Sequence, residues 1–437
     1  MAQPSQPRRL GAWAATAMVV AQVVGVGIFL TPATMLRTVG SPVVAASIWM
    51  SMGLLSMAGA LCYAELTTRF PQAGGGYVFL REGFGPRTAF VHGWMSALVV
   101  DPGVTAALGL GFSQYLLALM GAPAAWGPAA AMGAIAAFGA LTLLGVNVSA
   151  RLMTWTAGAK LLAVGGLVAA TLGRTTPEVG QPVLTSAGRA LGAEAVAAAV
   201  IAAFFAFGGW WELGRMSGEV QAPRRTMPRA LVGGIALVTC IYLLAGFGFM
   251  RAAAGQAASS DEALVAALGS ALFGPAGSAV LTAIVLVAVG GSLAATLLGS
   301  PRLYLAMARD GLFPQALAAY DTYRGTTPRL TLVQVVLACG YVAVGTFDQI
   351  LGYFVPSAVF FLGLSAAATL RLPRPTGPDV FRAPFHPLPL LLFLALVGVV
   401  LALFVVGRPA QTFLGAILVA VGSLVSMFAL PRRQQQS

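Results

Sequence analysis

"QVVGVGIFLTPATM", residues 22–35, sets Gly25, Val26 and Gly27 in the middle of the first long apolar run, with Thr31 and Pro32 just beyond. Glycine costs a helix interior roughly 1 kcal/mol relative to alanine. In a membrane the cost of an opened helix is higher, because freed N–H and C=O groups find no water there. A second interruption stands in "FFAFGGWWELGRMSGEV", residues 204–220, where Gly208 and Gly209 are flanked by Phe205, Phe207, Trp210 and Trp211.

The composition places these breaks in lipid. Of 437 residues, 58% are apolar and 9% charged, and the mean hydropathy is +0.86. No soluble interior of that size hides so much apolar surface. About twelve segments have spanning length: 12–36, 42–65, 88–119, 126–146, 152–172, 195–217, 230–251, 275–300, 329–347, 349–370, 387–407 and 410–430. The turn near Asp348 is the boundary that length fixes least. From a cytoplasmic N-terminus, nineteen arginines fall on inside positions and five outside (Arg37, Arg174, Arg189, Arg251 and Arg408). That asymmetry predicts an integral membrane protein with both termini in the cytoplasm. The start, "MAQPSQPRRLGAW", reads as an uncleaved cytoplasmic tail, since no A-x-A-like site follows a short apolar core. A net charge of +12 does not indicate nucleic acid, because the arginines are scattered over short loops.

The two breaks occupy the first and sixth spans. A lone G-x-G in a span reads as close helix packing. A partner break at the matching place of a second half points instead to inverted repeats, antiparallel because each half holds an odd number of helices. The expected organisation is a cytoplasmic tail (1–11), a first five-helix repeat (12–172), a second (195–370), two peripheral helices (387–430) and a C-terminal tail (431–437). An opened helix presents N–H groups at one broken end and carbonyls at the other. A zwitterion satisfies both, its carboxylate on the N–H side and its ammonium on the carbonyl side. Lys160, the only lysine, lies about a third of the way into the fifth span. An ammonium there costs a few kcal/mol on insertion scales, so it is paired, lines a polar cavity or snorkels.

Five stretches in this order, "GVGIFLTP", "GGGYVFLREGFGP", "FAFGGWWE", "GEVQAPRRTMPRAL" and "SPRLYLAMARDGLFP", resemble the amino acid–polyamine–organocation (APC) superfamily of permeases. They are most similar to bacterial relatives of the L-type amino acid transporters. The resemblance runs from about residue 15 to 407. It implies an all-α membrane protein of twelve transmembrane helices, a LeuT-type 5+5 inverted repeat with discontinuous helices 1 and 6, and alternating access. It places the substrate carboxylate on the backbone of Gly25, Val26 and Gly27, and the amine on the carbonyls of Val23, Phe205 and Gly208. Phe205 matches the aromatic that covers the substrate from outside. Lys160 matches a lysine standing where sodium-coupled relatives bind a cation, with Ser292 as its neighbour. Three departures stand out: Val26 replaces the usual serine, Trp211 a polar residue, and "LMGAPAAWG" lacks the cysteine that links animal members to a glycoprotein subunit. No disulfide-linked partner is expected.

Asp101, before Pro102 in the third span, is a candidate proton or cation site, or a carboxylate bonding backbone freed by the proline. Glu65 and Glu219 read as loop ion pairs or inner-gate contacts. Cys62, Cys240 and Cys339 lie in or at the ends of apolar runs without metal-ligand spacing, so neither a metal nor a cofactor is expected. His92 and His386 form no H-E-x-x-H, no G-x-S-x-G occurs, and the lysine is followed by Leu161, which removes the P-loop. The chain therefore reads as a non-enzymatic secondary transporter of neutral L-amino acids in a plasma (bacterial inner) membrane. It is either a sodium-independent exchanger or a proton-coupled permease. A cationic amino acid or polyamine carrier using Asp101, and a transport-dead sensor, are the alternatives.

Overall fold

The computed structural model describes residues 8–25, 27–31, 35, 38–173, 192–253, 269–270, 274, 276–373 and 380–429. Val26, Pro32, Arg37, Arg174, Arg189 and the C-terminal tail lie outside them. The described chain is helical, its only bridges being the isolated pairs Leu10–Val220 and Asp321–Thr326.

In chain order the helices are α1 (Ala12–Val23), α2 (Gly27–Leu30), α3 (Pro42–Arg69), α4 (Gly76–Phe84), α5 (Pro86–Met95) and α6 (Asp101–Met120). Then come α7 (Gly127–Thr142), α8 (Val146–Gly173), α9 (Ala193–Phe207), α10 (Glu212–Arg215), α11 (Pro223–Ala253) and α12 (Gly277–Gly299). The series closes with α13 (Pro301–Arg309), α14 (Pro328–Val344), α15 (Phe347–Arg371), α16 (Leu388–Gly407) and α17 (Pro409–Ala429). Among the described residues, eight helices are long and apolar enough to cross a membrane. Ala12–Val23, Glu194–Phe207 and Pro328–Val344 are shorter apolar helices, and two of these three end at the sequence breaks.

Local chemistry explains the boundaries. The turn near Asp348 is fixed by a capping box: Thr346 Oγ1 accepts from Gln349 N, and Gln349 Oε1 accepts from Thr346 N. That box ends one helix at Val344 and starts the next at Phe347, a few residues before the length-based boundary. The third span is not one regular helix. A π turn over Ser96–Val100 joins α5 to α6, where Pro102 supplies no N–H, and it delivers Asp101 to the interior.

The core gathers around α1. It packs against α8, α11 and α12, and α3 lies along α11. At one end the chain is tied by its loops. Leu10 N donates to Glu219 O at 2.9 Å and Gln221 N to Leu10 O at 2.8 Å, while Arg9 donates to Thr322 O at 2.8 Å. On the same end Tyr77 Oη donates to Asp310 Oδ2 at 2.7 Å, beside the Arg81–Asp310 ion pair at 2.5 Å. Burial, with Asp310 adding to it, pushes the Tyr77 phenol above its ordinary range, so it stays a donor. Tyr77→Phe is expected to cost about 1 kcal/mol. A thermal melt of purified protein should fall by roughly 1 °C; an unchanged melt would make the contact energetically silent.

Candidate functional site

α1 stops at Val23. Gly25 N turns back to donate to Val23 O at 2.7 Å, and helix resumes at Gly27. α9 stops at Phe207. Gly208 is extended, and Gly209 takes φ +101°, a conformation open to glycine and strained for L side chains. Helix resumes at Glu212. The two breaks lie against each other. A Cβ on Gly27 would stand 2.5 Å from Ala206 Cα, and one on Gly209 would stand 3.2 Å from Gln22 Cβ. The absence of a side chain at Gly27 is thus required first by contact with α9.

Between the breaks lies a cavity. Val23, Gly25, Gly27, Phe205 and Gly208 all line it, as do Gln22, Gly209, Trp211 and Glu212. The π turn contributes Val100, α6 contributes Asp101, Val104 and Leu108, α12 contributes Thr296, and α15 contributes Phe354, Val355 and Ala358. The backbone positions nominated from sequence, Val26 aside, therefore face one space. Two differ in their bonding, since the Gly25 N–H is already donated to Val23 O. The Val23 carbonyl already accepts from Gly25 N and from Tyr242 Oη at 2.7 Å, which occupies both its lone pairs. The Phe205 carbonyl accepts from Gly208 N at 3.2 Å. The Phe205 ring packs edge-on against Phe347 (5.7 Å between centroids) and Phe354 (6.3 Å), forming an aromatic cluster at the α15 side of the cavity.

Lys160 and Ser292 do meet. Lys160 is 1% exposed, and its Nζ donates to Ala21 O at 2.8 Å and to Ser292 Oγ at 3.0 Å. Ser292 Oγ donates to the same Ala21 carbonyl at 2.6 Å. That carbonyl belongs to the last turn of α1, where the helix dipole is negative. No salt bridge to Lys160 exists among the described residues. Snorkelling does not describe this side chain, which turns inward to the end of a broken helix. A Cβ on Gly25 would stand 3.1 Å from Ser292 Oγ, so the ammonium cluster sits directly behind the first break.

Asp101 is engaged by side chains, and the backbone-bonding alternative is not what forms. Both its oxygens accept from Arg215 Nη1, at 2.9 and 2.8 Å, and Oδ2 also accepts from Tyr304 Oη. Arg215 Nη1 lies 3.2 Å from Glu212 Oε2 as well. Two carboxylates, one guanidinium and one phenol are thus buried together, tying α6, α10 and α13 beneath the cavity. Removing one partner from such a cluster is costly because it strands a buried charge. Arg215 had read as a flanking topology charge; it is a structural counter-ion. Glu219 behaves alike: it pairs with Arg302 Nε at 3.0 Å, both 1% exposed, and Arg302 Nη2 also donates to Gly325 O at 2.7 Å. Glu65 fits the loop-contact reading, with Oε2 accepting from Ala383 N at 3.0 Å and Oε1 3.8 Å from Arg69.

Gln22, Thr296 and Glu212 were missed from sequence. Only Glu212 carried a signal, a carboxylate at i,i−3 from Arg215 just past the break. Cys62, Cys240 and Cys339 are free thiols, and the described residues hold no group of three metal-ligating side chains.

A broken pair of apolar helices around a cavity is the architecture of a membrane carrier, and residues 10–428 match the Amino acid permease family. The chain belongs to that family, whose members are transporters and not enzymes, and it is an integral membrane protein. It is similar to the serine/threonine exchanger SteT of Bacillus subtilis (strain 168), 24% identical over 93% of this chain and 92% of the relative. It is also similar to the b(0,+)-type amino acid transporter 1 of Mus musculus (27%, 97% and 88%) and the cystine/glutamate transporter of Pongo abelii (27%, 93% and 82%).

Proposed function

We propose that the protein is a secondary transporter of neutral L-amino acids working by alternating access. The observation that carries this reading is the convergence of both helix breaks on one cavity, with Gly25, Gly27, Phe205 and Gly208 on its wall. The substrate carboxylate is assigned to N–H groups of the first break (Gly25, Val26, Gly27), that of Gly25 once it leaves the Val23 carbonyl, and the ammonium to the carbonyls of Phe205 and Gly208. Val23 joins them when Tyr242 releases its carbonyl. Phe205, with Phe347 and Phe354, is the outer gate.

The proposed frame is twelve spans in two inverted five-helix repeats (12–172 and 195–370) with two peripheral helices. Both termini are cytoplasmic, in a bacterial inner membrane. Lys160 serves as a fixed cation behind the first break, which supports sodium independence, and the exchanger name of one relative supports exchange. A disulfide-linked subunit is not part of the proposal. Asp101 accepts three hydrogen bonds from Arg215 and Tyr304, so its charge is already countered before a cationic substrate arrives.

In proteoliposomes loaded with unlabelled amino acid, radiolabelled neutral amino acids are expected to accumulate by counterflow at equal rates with and without sodium. Binding without counterflow would make the protein a sensor, and strict sodium dependence would remove the role given to Lys160.

A further inference from the structure

Two residues lining the cavity, Gln22 and Glu212, each carry a polar atom without a hydrogen bond. Gln22 and Glu212 are 8% and 7% exposed, and among the described residues Gln22 Nε2 and Glu212 Oε2 have no hydrogen-bond partner. They are of opposite kind, one a donor and one an acceptor. Both also look into the same gap: a Cβ placed on Gly299 would lie 3.9 Å from Gln22 Nε2 and 3.6 Å from Glu212 Oε2. The Gln22 amide is oriented by Thr296, whose Oγ1 donates to Gln22 Oε1 at 3.1 Å. The reverse orientation would turn an oxygen toward the carboxylate. Glu212 Oε2 faces the Arg215 guanidinium at 3.2 Å but accepts no hydrogen bond, and among the described residues Gln22 Nε2 has no partner of either kind; a buried donor left so costs roughly 1–3 kcal/mol and calls for a complement.

We infer that Gln22 and Glu212 form a side-chain subsite selecting amino acids whose side chain both donates and accepts a hydrogen bond, a hydroxyl or a primary carboxamide. This deepens the transport reading and rests on it. A hydroxyl or carboxamide accepts from Gln22 Nε2 and donates to Glu212 Oε2 at once. An aliphatic side chain leaves Gln22 Nε2 stranded and Glu212 Oε2 with its ion pair to Arg215 alone. A cationic side chain has no acceptor for the Gln22 amide, and it meets the Arg215 guanidinium, 3.2 Å from the same carboxylate oxygen. The subsite lies beside the backbone site, since Gln22 packs 3.2 Å from the position of a Cβ on Gly209.

The test is competition for counterflow by pairs matched in shape: threonine against valine, and glutamine against methionine. Threonine and glutamine are expected to compete about tenfold or more better than their apolar partners, the worth of a hydrogen bond to a charged group. Gly299→Ala puts a methyl into the gap with its nearest neighbour, Met18 Cε, at an ordinary 3.5 Å, so the helix accepts it. That variant is expected to shrink both preferences to within about threefold, because the hydroxyl or amide loses the space between its partners. Valine and methionine competing as well as threonine and glutamine would overturn the subsite while leaving transport intact. A preference for lysine or arginine, or a preference unchanged by Gly299→Ala, would overturn it too. If no amino acid is exchanged, the transport reading itself falls, and the subsite with it. The wild-type ratios decide even if the variant does not fold.

Discussion

Gly27→Val is expected to abolish exchange, with rates in proteoliposomes falling below about 1% of wild type, more than the 2.7 kcal/mol that a hundredfold loss represents. The first cause is steric. The new Cβ would stand 2.5 Å from Ala206 Cα and 2.9 Å from Ala206 Cβ, and the backbone of α9 cannot rotate away as a flexible side chain would. Overpacking of this kind costs typically 1–3 kcal/mol, and more when backbone must move. Relief requires α2 and α9 to separate, which pulls the two breaks apart and dismantles the cavity between them. Gly233→Ala is the matched control, since nothing lies within 4 Å of a Cβ there, and it should exchange normally. Wild-type rates in Gly27→Val would mean that the contact of the two breaks is not needed for transport.

Lys160→Met should separate function from folding. The ammonium is nearly fully buried and holds the end of α1 through Ala21 O and Ser292 Oγ. A buried charge is expensive to keep, and an apolar side chain of similar length is often neutral or stabilising in its place. The variant is therefore expected to insert, purify and melt like wild type. Its exchange should nevertheless fall on the order of a hundredfold, about 2.7 kcal/mol, because the negative end of the broken helix has lost its cation. Normal exchange would reduce Lys160 to a packing residue. Equal loss of melting temperature and transport would make its role structural.

The breaks were legible because glycine in a membrane helix is costly and two pairs of them in matching spans have few explanations. Lys160 was legible because a lone ammonium in apolar sequence needs a partner. The resemblance to known permeases named Ser292 beside it; the other partner, the end of α1, is supplied from 139 residues away in sequence and no motif named it. Asp101 shows the limit. Its neighbour Pro102 suggested a local bond, while its actual partners, Arg215 and Tyr304, lie 114 and 203 residues along the chain. Arg215 and Arg302 carried the same ambiguity. An arginine counted near a span end reads as a topology signal, whereas both are buried counter-ions of carboxylates. The capping box at Thr346 was readable from sequence as a Thr-x-x-Gln pattern, and it corrects the one boundary that hydropathy left weakest.

Whether the two breaks together hold the charged ends of an amino acid is decided by deleting those ends one at a time. Threonine counterflow should be inhibited by unlabelled L-threonine but at least about a hundredfold less by 1-amino-2-propanol, which lacks the carboxylate, and by 3-hydroxybutyrate, which lacks the amine, since each leaves one broken helix end unpaired. Inhibition by either analogue at the concentration effective for threonine would contradict the account.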